Sequence, residues 1–214
     1  AHFSAHEIFP TSALDMGADV VVQSAHKTLP AFTMGSYLHI QSNHVSSEKI
    51  NTYLRMLQTS SPSYLLLASL DDARDYMETY TQEDAQSFVR TREQFVNGLN
   101  LIKSLNVVEV EDPLKLLLRV NRYSGFELQR QLEEQGVYSE LADKTQVLFI
   151  FPLLKRRHSF PFADIRRRIK HAVEKLMKQQ AMQVEIDYTH DFEAVSRLAM
   201  SYKELDEHES EWIL

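Results

Sequence analysis

The chain has 214 residues, no cysteine and a formal net charge of -7. Without cysteine it can form neither a disulfide nor a thiolate metal site, and the reducing cytoplasm is its expected compartment. The negative charge argues against a nucleic-acid partner, and no apolar run approaches the roughly 20 residues of a membrane-spanning helix, so membrane insertion is not expected either.

The first strand-like run leads directly to a lysine. Residues 18–22 are mostly apolar, and a second strand-like run follows at 35–40. This pattern predicts that Lys27 lies on a loop at the end of a buried strand. Partial desolvation at such a place disfavours the charged ammonium form and favours a nucleophilic amine.

Hydroxyl and imidazole groups flank this lysine in the sequence. Ser24, His26 and Thr28 lie in the same predicted turn as Lys27. Groups of this kind can hold an anion beside a nucleophilic amine. The alternative is that Lys27 is an ordinary solvated loop lysine.

Helical periodicity dominates the next segments. Apolar residues recur at helical spacing over residues 46–57, and Pro62 is placed near the first turn of a second helix at 64–77. The continuous apolar stretch in that second helix predicts burial on several of its sides. A long amphipathic helix is predicted at 83–102.

Short strands then alternate with helices. Strands are predicted at 107–110, 114–120 and 147–151, and helices at 125–135 and 162–178. This alternation indicates a small α/β layer packed on one face of a sheet.

The other charged clusters are interpreted without a ligand. The basic runs at 155–158 and 166–168 are typical of solvated helix and loop faces. His2 and His6 have the spacing of metal ligands on a helix, but no third ligand is suitably spaced. No metal site is therefore expected.

Three segments together resemble the Orn/Lys/Arg decarboxylase family, and most closely its shorter Gram-positive type. They read QSAHKTLPAFTMGSYLHI from residue 23, LQTSSPSYLLLASLDDAR from residue 57 and SELADKTQVLFIFPL from residue 139. Their order along the chain is that of the family, which makes the resemblance more specific than one short motif.

The resemblance implies an α/β fold: the C-terminal part of the large domain of a pyridoxal-phosphate-dependent transferase of the aspartate aminotransferase type, followed by a small α/β domain. Residues 1–104 are expected to belong to the large domain with its linking helices, and residues 105–185 to form the small domain. Residues 186–214, with a predicted polar helix at 194–204, are expected to begin a further C-terminal region.

The resemblance also implies an activity. It is the decarboxylation of a basic amino acid (arginine, lysine or ornithine) to an amine of polyamine biosynthesis, with pyridoxal 5'-phosphate as the cofactor. Lys27 corresponds to the catalytic lysine that binds the cofactor as a Schiff base, and His26 belongs to the same catalytic site. Ser24 and His26 are assigned to the cofactor phosphate.

Glu140 matches an acidic residue of the family. In the family that residue lies close to the side-chain end of the substrate. A carboxylate at that place can pair with a guanidinium or ammonium group. The alternative reading, an ordinary exposed loop glutamate, stays open.

A run of hydroxyls, Thr59, Ser60 and Ser61, precedes the second predicted helix, and the free N–H groups of a helix start favour anions. In the family this segment reaches the cofactor phosphate of the neighbouring subunit. A homodimer or higher homo-oligomer with shared, cofactor-binding sites is therefore implied. The alternative for Ser61 is that it simply caps the helix.

The first residues bear on the completeness of the site. Residues 1–3 resemble those that follow a D-E-A-H-G motif in the family, whose aspartate pairs with the pyridine nitrogen of the cofactor. The chain is therefore expected to be truncated at both ends and inactive by itself. The alternative function is that of a non-catalytic fragment, or of a degenerate homologue that serves as a subunit or regulator of a larger assembly.

Overall fold

The computed structural model describes residues 3–4 and 6–179 of the protein. The helix predicted at 194–204 and the region expected at 186–214 lie outside the described residues. Among the described residues, no helix combines the length and the hydropathy of a membrane span.

A two-stranded antiparallel sheet precedes the lysine-bearing turn. Strand β1 (Val20–Ser24) pairs with β2 (Ser36–Ile40), and a 3₁₀ turn at Ala25–Lys27 continues from β1. The prediction that this strand is buried is wrong. Val22 is 69% exposed, because β2 is the only described strand that pairs with β1 and nothing in the described part of the chain covers this side chain.

Three helices follow, each starting at a capping side chain. They are α1 (Ser47–Leu57), α2 (Tyr64–Glu78) and α3 (Gln82–Asn100). The residue before each helix accepts a hydrogen bond on its side-chain oxygen from the backbone N–H three positions later. Such caps satisfy one of the N–H groups that have no partner within the helix.

The start of α2 differs from its prediction in two ways. Its cap is Ser63, so the alternative that Ser61 caps this helix is wrong, and Pro62 lies before the helix. Burial on several sides is also wrong for the first turn, where Tyr64 is 82% and Leu65 is 73% exposed. These side chains extend beyond the part of α2 that packs on the protein.

A four-stranded antiparallel sheet and two helices form the second half. The strands β3 (Leu105–Val108), β4 (Lys115–Val120), β5 (Leu141–Ala142) and β6 (Val147–Ile150) are ordered β3-β4-β6-β5. The helices are α4 (Gly125–Glu134) and α5 (Phe162–Leu176). The predicted alternation is confirmed; the two-residue strand β5 was not predicted.

The hydrophobic core lies between the second sheet and helices α3, α4 and α5. Helix α5 contacts α3 and α4, while α4 contacts β4 and β6. Every second residue of β4 is buried, as expected for a strand with one covered face. Buried residues from all four elements, among them Leu99, Leu118, Leu132 and Ile169, meet in this core, and all described residues belong to one compact unit.

Candidate active site at the Lys27 cleft

Backbone hydrogen bonds hold the turn that carries Lys27. The N–H of Ala25 donates to the carbonyl of Gly35 across the sheet at 3.0 Å, and Ala25 is fully buried. The carbonyl of Ala25 accepts from Thr28 and Leu29 at 3.1 and 2.8 Å. The lysine therefore lies on a turn whose backbone is held on both sides.

The imidazole of His26 is oriented by the same sheet. Its Nδ1 lies 3.1 Å from the carbonyl oxygen of Gly35. Because a carbonyl can only accept a hydrogen bond, Nδ1 carries the proton in this contact, and Nε2 remains for another partner. Ser24 directly precedes the turn and is the last residue of β1, where it pairs with Ser36 of β2.

The structure brings Lys27 to Glu140. The Nζ atom of Lys27 and the Oε1 atom of Glu140 are 3.9 Å apart, and their side chains are 49% and 40% exposed. The backbone N–H of Glu140 donates to Leu148 of β6 at 2.8 Å, which fixes this loop beside the sheet. Two residues singled out separately in the sequence thus form one pair.

The exposure of Lys27 corrects one expectation. Partial desolvation of its amine was predicted from a buried strand, but half of the side chain is accessible to water. The cause is the exposed two-stranded sheet that supports it. An ion pair with this solvent access contributes at most about 1 kcal/mol to stability.

Both residues face an open cleft with a volume of about 620 Å³, within the range that ligand pockets commonly span. One side carries the lysine turn, and the other carries aromatic and apolar side chains. The residues that line it are His26, Lys27, Thr28, Leu29, Pro30, Tyr76, Glu140, Ile150, Phe151, Pro152, Leu153, His158 and Phe160.

The donor groups of the cleft fit pyridoxal phosphate. The amine of Lys27 can reach an aldehyde in the cleft, and the hydroxyl of Thr28 is buried without a hydrogen-bond partner among the described residues. A buried hydroxyl without a partner is costly, and a phosphate oxygen would supply the missing acceptor. Thr28 and His26 line the cleft and are candidate phosphate ligands; Ser24, assigned the same role from the sequence, directly precedes the turn but does not line the cleft.

The hydroxyl run at residues 59–61 is not brought to this cleft within the chain. Thr59, Ser60 and Ser61 are all exposed, and none lines the cleft. The Oγ1 atom of Thr59 accepts a hydrogen bond from the N–H of Ser61 at 3.2 Å. These hydroxyls lie on the surface ahead of α2.

Sequence reasoning missed the opposite wall of the cleft. Tyr76, His158 and Phe160 line it, although their positions in the sequence carry no motif. The interpretation of the basic run 155–158 as solvated is wrong for Lys155, which is only 8% exposed. Its burial follows from contacts with α2, which a charge run does not reveal.

No metal centre is found among the described residues, since no three histidine, cysteine, aspartate or glutamate side chains are grouped there. The Nε2 atom of His6 lies 2.9 Å from the carbonyl oxygen of Tyr80. His2 lies outside the described residues.

Sequence comparisons identify related proteins. Residues 1–117 match the profile of the Orn/Lys/Arg decarboxylase major domain. A Bacillus subtilis protein named "Uncharacterized protein YaaO" is 44% identical over 189 residues, covering 84% of this chain and 39% of that protein. An arginine decarboxylase of Bacillus subtilis is 33% identical over 163 residues, covering 70% of this chain and 33% of the relative. The chain thus spans about two fifths or less of these relatives.

Solved structures share the fold. The constitutive lysine decarboxylase of Escherichia coli superposes with a TM-score of 0.55 at 16% identity, covering 72% of this chain and 28% of that one. A NifS-like protein superposes with a TM-score of 0.58 at 15% identity, covering 83% of this chain and 51% of that one. These likenesses confirm the expected α/β fold class. The family profile covers more than half of the chain, and the chain therefore belongs to the Orn/Lys/Arg decarboxylase family.

Proposed function

We propose that this chain contributes the lysine-bearing part of a cytoplasmic, pyridoxal-phosphate-dependent decarboxylase of arginine, lysine or ornithine. The observation that carries the proposal is the convergence of Lys27 and Glu140 on one cleft, 3.9 Å apart. Membership of the family supports the reaction class, and the arginine decarboxylases among the relatives support a basic amino acid as the substrate.

The cleft residues have separate roles in this proposal. Lys27 would hold the cofactor covalently through Nζ, and Ser24, His26 and Thr28, on and next to the same turn, would bind its phosphate. When bound, pyridoxal phosphate supplies an electron sink for the electron pair left behind when carbon dioxide departs. Glu140 pairs with the cationic end of the substrate side chain, because a carboxylate recognises guanidinium and ammonium groups.

The contact between Lys27 and Glu140 also has a consequence for substrate entry. Glu140 balances the charge of the Lys27 ammonium in the structure. With the cofactor held on Nζ, Glu140 would be free to pair with a cationic substrate side chain, which would favour binding of basic over neutral amino acids.

The domain organisation and the oligomer are further parts of the proposal. Residues 1–104 belong to the large domain and residues 105–185 to the small one. The protein acts as a homodimer or higher homo-oligomer, in which the exposed hydroxyls of Thr59, Ser60 and Ser61 reach the phosphate at the neighbouring subunit's cleft.

A second function, as a subunit or regulator without turnover, is supported by a specific observation. Glu140 is the only carboxylate among the described residues that line the cleft. It already pairs with Lys27, so no described lining residue is left to hold the pyridine nitrogen. A colourless protein that still binds a full-length relative would favour this second function.

The test is chemical labelling of the lysine. Protein expressed together with its flanking coding sequence, termed here the extended protein, is incubated with pyridoxal phosphate, reduced with borohydride and mapped by mass spectrometry. We expect the pyridoxyl label on Lys27. Lys27→Ala should fold normally but lose turnover by about three orders of magnitude or more, because the nucleophile is gone.

The matched control is Lys144→Ala, which removes an exposed loop lysine close to Glu140 in the sequence. It should keep both label and turnover. A label that falls on another lysine, or one that persists in Lys27→Ala, contradicts the assignment.

A further inference from the structure

The irregular segment after β6 is attached to the C-terminal end of α2 and to the residues that follow α2. The hydroxyl of Tyr76 donates to the carbonyl of Leu153 at 2.6 Å, and that of Tyr80 donates to the carbonyl of Leu154 at 3.1 Å. Burial raises the pKa of both tyrosines, so their hydroxyls stay protonated and keep donating. The carbonyls of two successive residues thus each accept a hydrogen bond from a tyrosine hydroxyl.

A buried lysine completes this attachment. Lys155 is 8% exposed, and its Nζ donates to the hydroxyl of Thr79 at 2.6 Å. The same Nζ lies 4.3 Å from the ring centroid of Tyr76, a distance typical of a cation–π contact. No carboxylate of the described residues forms an ion pair with it.

Stability alone gives no reason for a lysine at this place. Burial of an ammonium group costs free energy that the Thr79 hydroxyl, the Tyr76 ring and the charge of nearby Asp84 recover only in part. A methionine has a similar length and would fill the same space without this cost. The lysine does, however, orient both of its partners, because the hydroxyl and the ring must face the cation.

The orientation of Tyr76 matters at the cleft. Its ring stacks on that of His158, with the centroids 6.1 Å apart and the planes at 15°. Both side chains line the Lys27 cleft, whereas Lys155 does not. Nδ1 of His158 lies 3.4 Å from the Tyr76 hydroxyl and from the backbone nitrogen of Lys155. Lys155 therefore lies behind the wall that a bound molecule would touch.

We propose that Lys155 is a positioning residue: it holds the Tyr76 and His158 rings in place as the wall of the Lys27 cleft and thereby sets the affinity for the amine substrate. This inference rests on the proposed function in taking an amino acid as the ligand. The wall itself, and the contacts behind it, are properties of the described structure.

Lys155→Met in the extended protein tests the inference. We expect KM for the amino-acid substrate to rise about tenfold, as loss of a charge-assisted hydrogen bond that holds a binding surface would produce, while kcat changes less than about twofold. Borohydride labelling of Lys27 should be unchanged. The adjacent Arg156→Ala is the matched control, because the Arg156 side chain is exposed and pairs with exposed Glu83, and the backbone bond of Arg156 to Asp84 does not depend on that side chain. This variant should leave KM unchanged.

Two results separate the inference from the proposed function. A wild-type protein that carries no label on Lys27 contradicts the proposed function. A labelled wild type whose KM is the same with Lys155→Met contradicts the role of Lys155, as does an equal loss of kcat in Lys155→Met and Arg156→Ala.

A second measurement uses the extended protein and needs no turnover. The side-chain NMR signals of His158 should shift in Lys155→Met and stay in place in Arg156→Ala, because only the first substitution releases the Tyr76 ring. Melting temperatures of the two variants within a few degrees of wild type show that the fold is retained. Unchanged His158 signals in Lys155→Met would overturn the inference.

Discussion

Asp84 shows how a single buried carboxylate can serve two segments of this chain. One oxygen accepts hydrogen bonds from the backbone and hydroxyl of Thr81, at 3.0 and 2.8 Å, and so completes the cap of α3. The other accepts from the backbone of Arg156 at 2.7 Å. Burial alone would raise the pKa of Asp84, but these bonds and the nearby Lys155 outweigh it and lower the pKa.

This lowered pKa predicts how stability depends on pH. Since the folded-state pKa lies below the ordinary value of 3.8, the carboxylate stabilises the fold fully above that value, and its contribution is lost as pH falls through the folded-state pKa. Asp84→Asn keeps one oxygen acceptor instead of two. This substitution should lower the free energy of unfolding by about 1–3 kcal/mol at neutral pH and by less in strong acid.

Urea unfolding of wild type and Asp84→Asn at pH 7 and well below pH 3.8 checks this. The neighbouring Glu83→Gln is the control, because Glu83 is 73% exposed in its ion pair and should change stability little. If the free energies of unfolding of wild type and Asp84→Asn differ by the same amount at both pH values, the expectation is contradicted.

At the scale of elements, the segment that leads into α2 is the clearest candidate for contact with another subunit. Exposed hydroxyls at residues 59–61 precede exposed apolar side chains, Tyr64 and Leu65, at the start of the helix. The first N–H groups of a helix favour an anion. Hydroxyls, N–H groups and apolar surface therefore lie together on the outside of the chain.

Subunit mixing tests whether this segment completes a neighbouring site. In extended protein, Ser60→Ala and Lys27→Ala should each lower activity strongly, since one lacks a phosphate ligand and the other the nucleophile. When the two are mixed under conditions that exchange subunits, about a quarter of wild-type activity should return, because half of the dimers are mixed and each has one intact site.

The control for this experiment is Thr52→Ala mixed with Lys27→Ala. Thr52 lies on α1, where its hydroxyl donates to the carbonyl of Glu48 within the same helix at 2.9 Å. Thr52→Ala alone should keep its activity. If mixing Ser60→Ala with Lys27→Ala restores nothing although subunits exchange, the sites are not shared.

For the molecule as a whole, the surface around the lysine turn is unusually apolar. Val22, Phe32 and Met34 are 69%, 60% and 78% exposed. In the part of the chain that the structure describes, strands β1 and β2 form a sheet of two strands. A sheet this small is marginally stable by itself, and its open edges and apolar surface favour pairing with another chain.

We therefore expect the 214-residue chain by itself to associate and to lack decarboxylase turnover. Light scattering during size-exclusion chromatography measures association. Release of carbon dioxide from arginine, lysine and ornithine measures decarboxylase turnover, with the extended protein as the positive control. Turnover at ordinary enzymatic rates by the chain alone would show that a residue within it holds the pyridine nitrogen, and the assignment of the cleft would be wrong.

Local signals in the sequence account for much of the fold. Periodicity predicted α1, α4 and β4 to within one residue at either end, because caps and alternating apolar residues act between near neighbours. The family segments singled out Lys27 and Glu140, since their chemistry is tied to a residue type in a fixed context. Such information is contained in short stretches of the chain.

Burial and the opposite wall of the cleft were decided only by the tertiary structure. The strand before Lys27 has an apolar sequence but an exposed surface, whereas Lys155 lies in a basic run and is buried. Tyr76 and His158 meet although 82 positions separate them. The sequence determines which side chains are able to pack, but their burial depends on which distant segment packs against them.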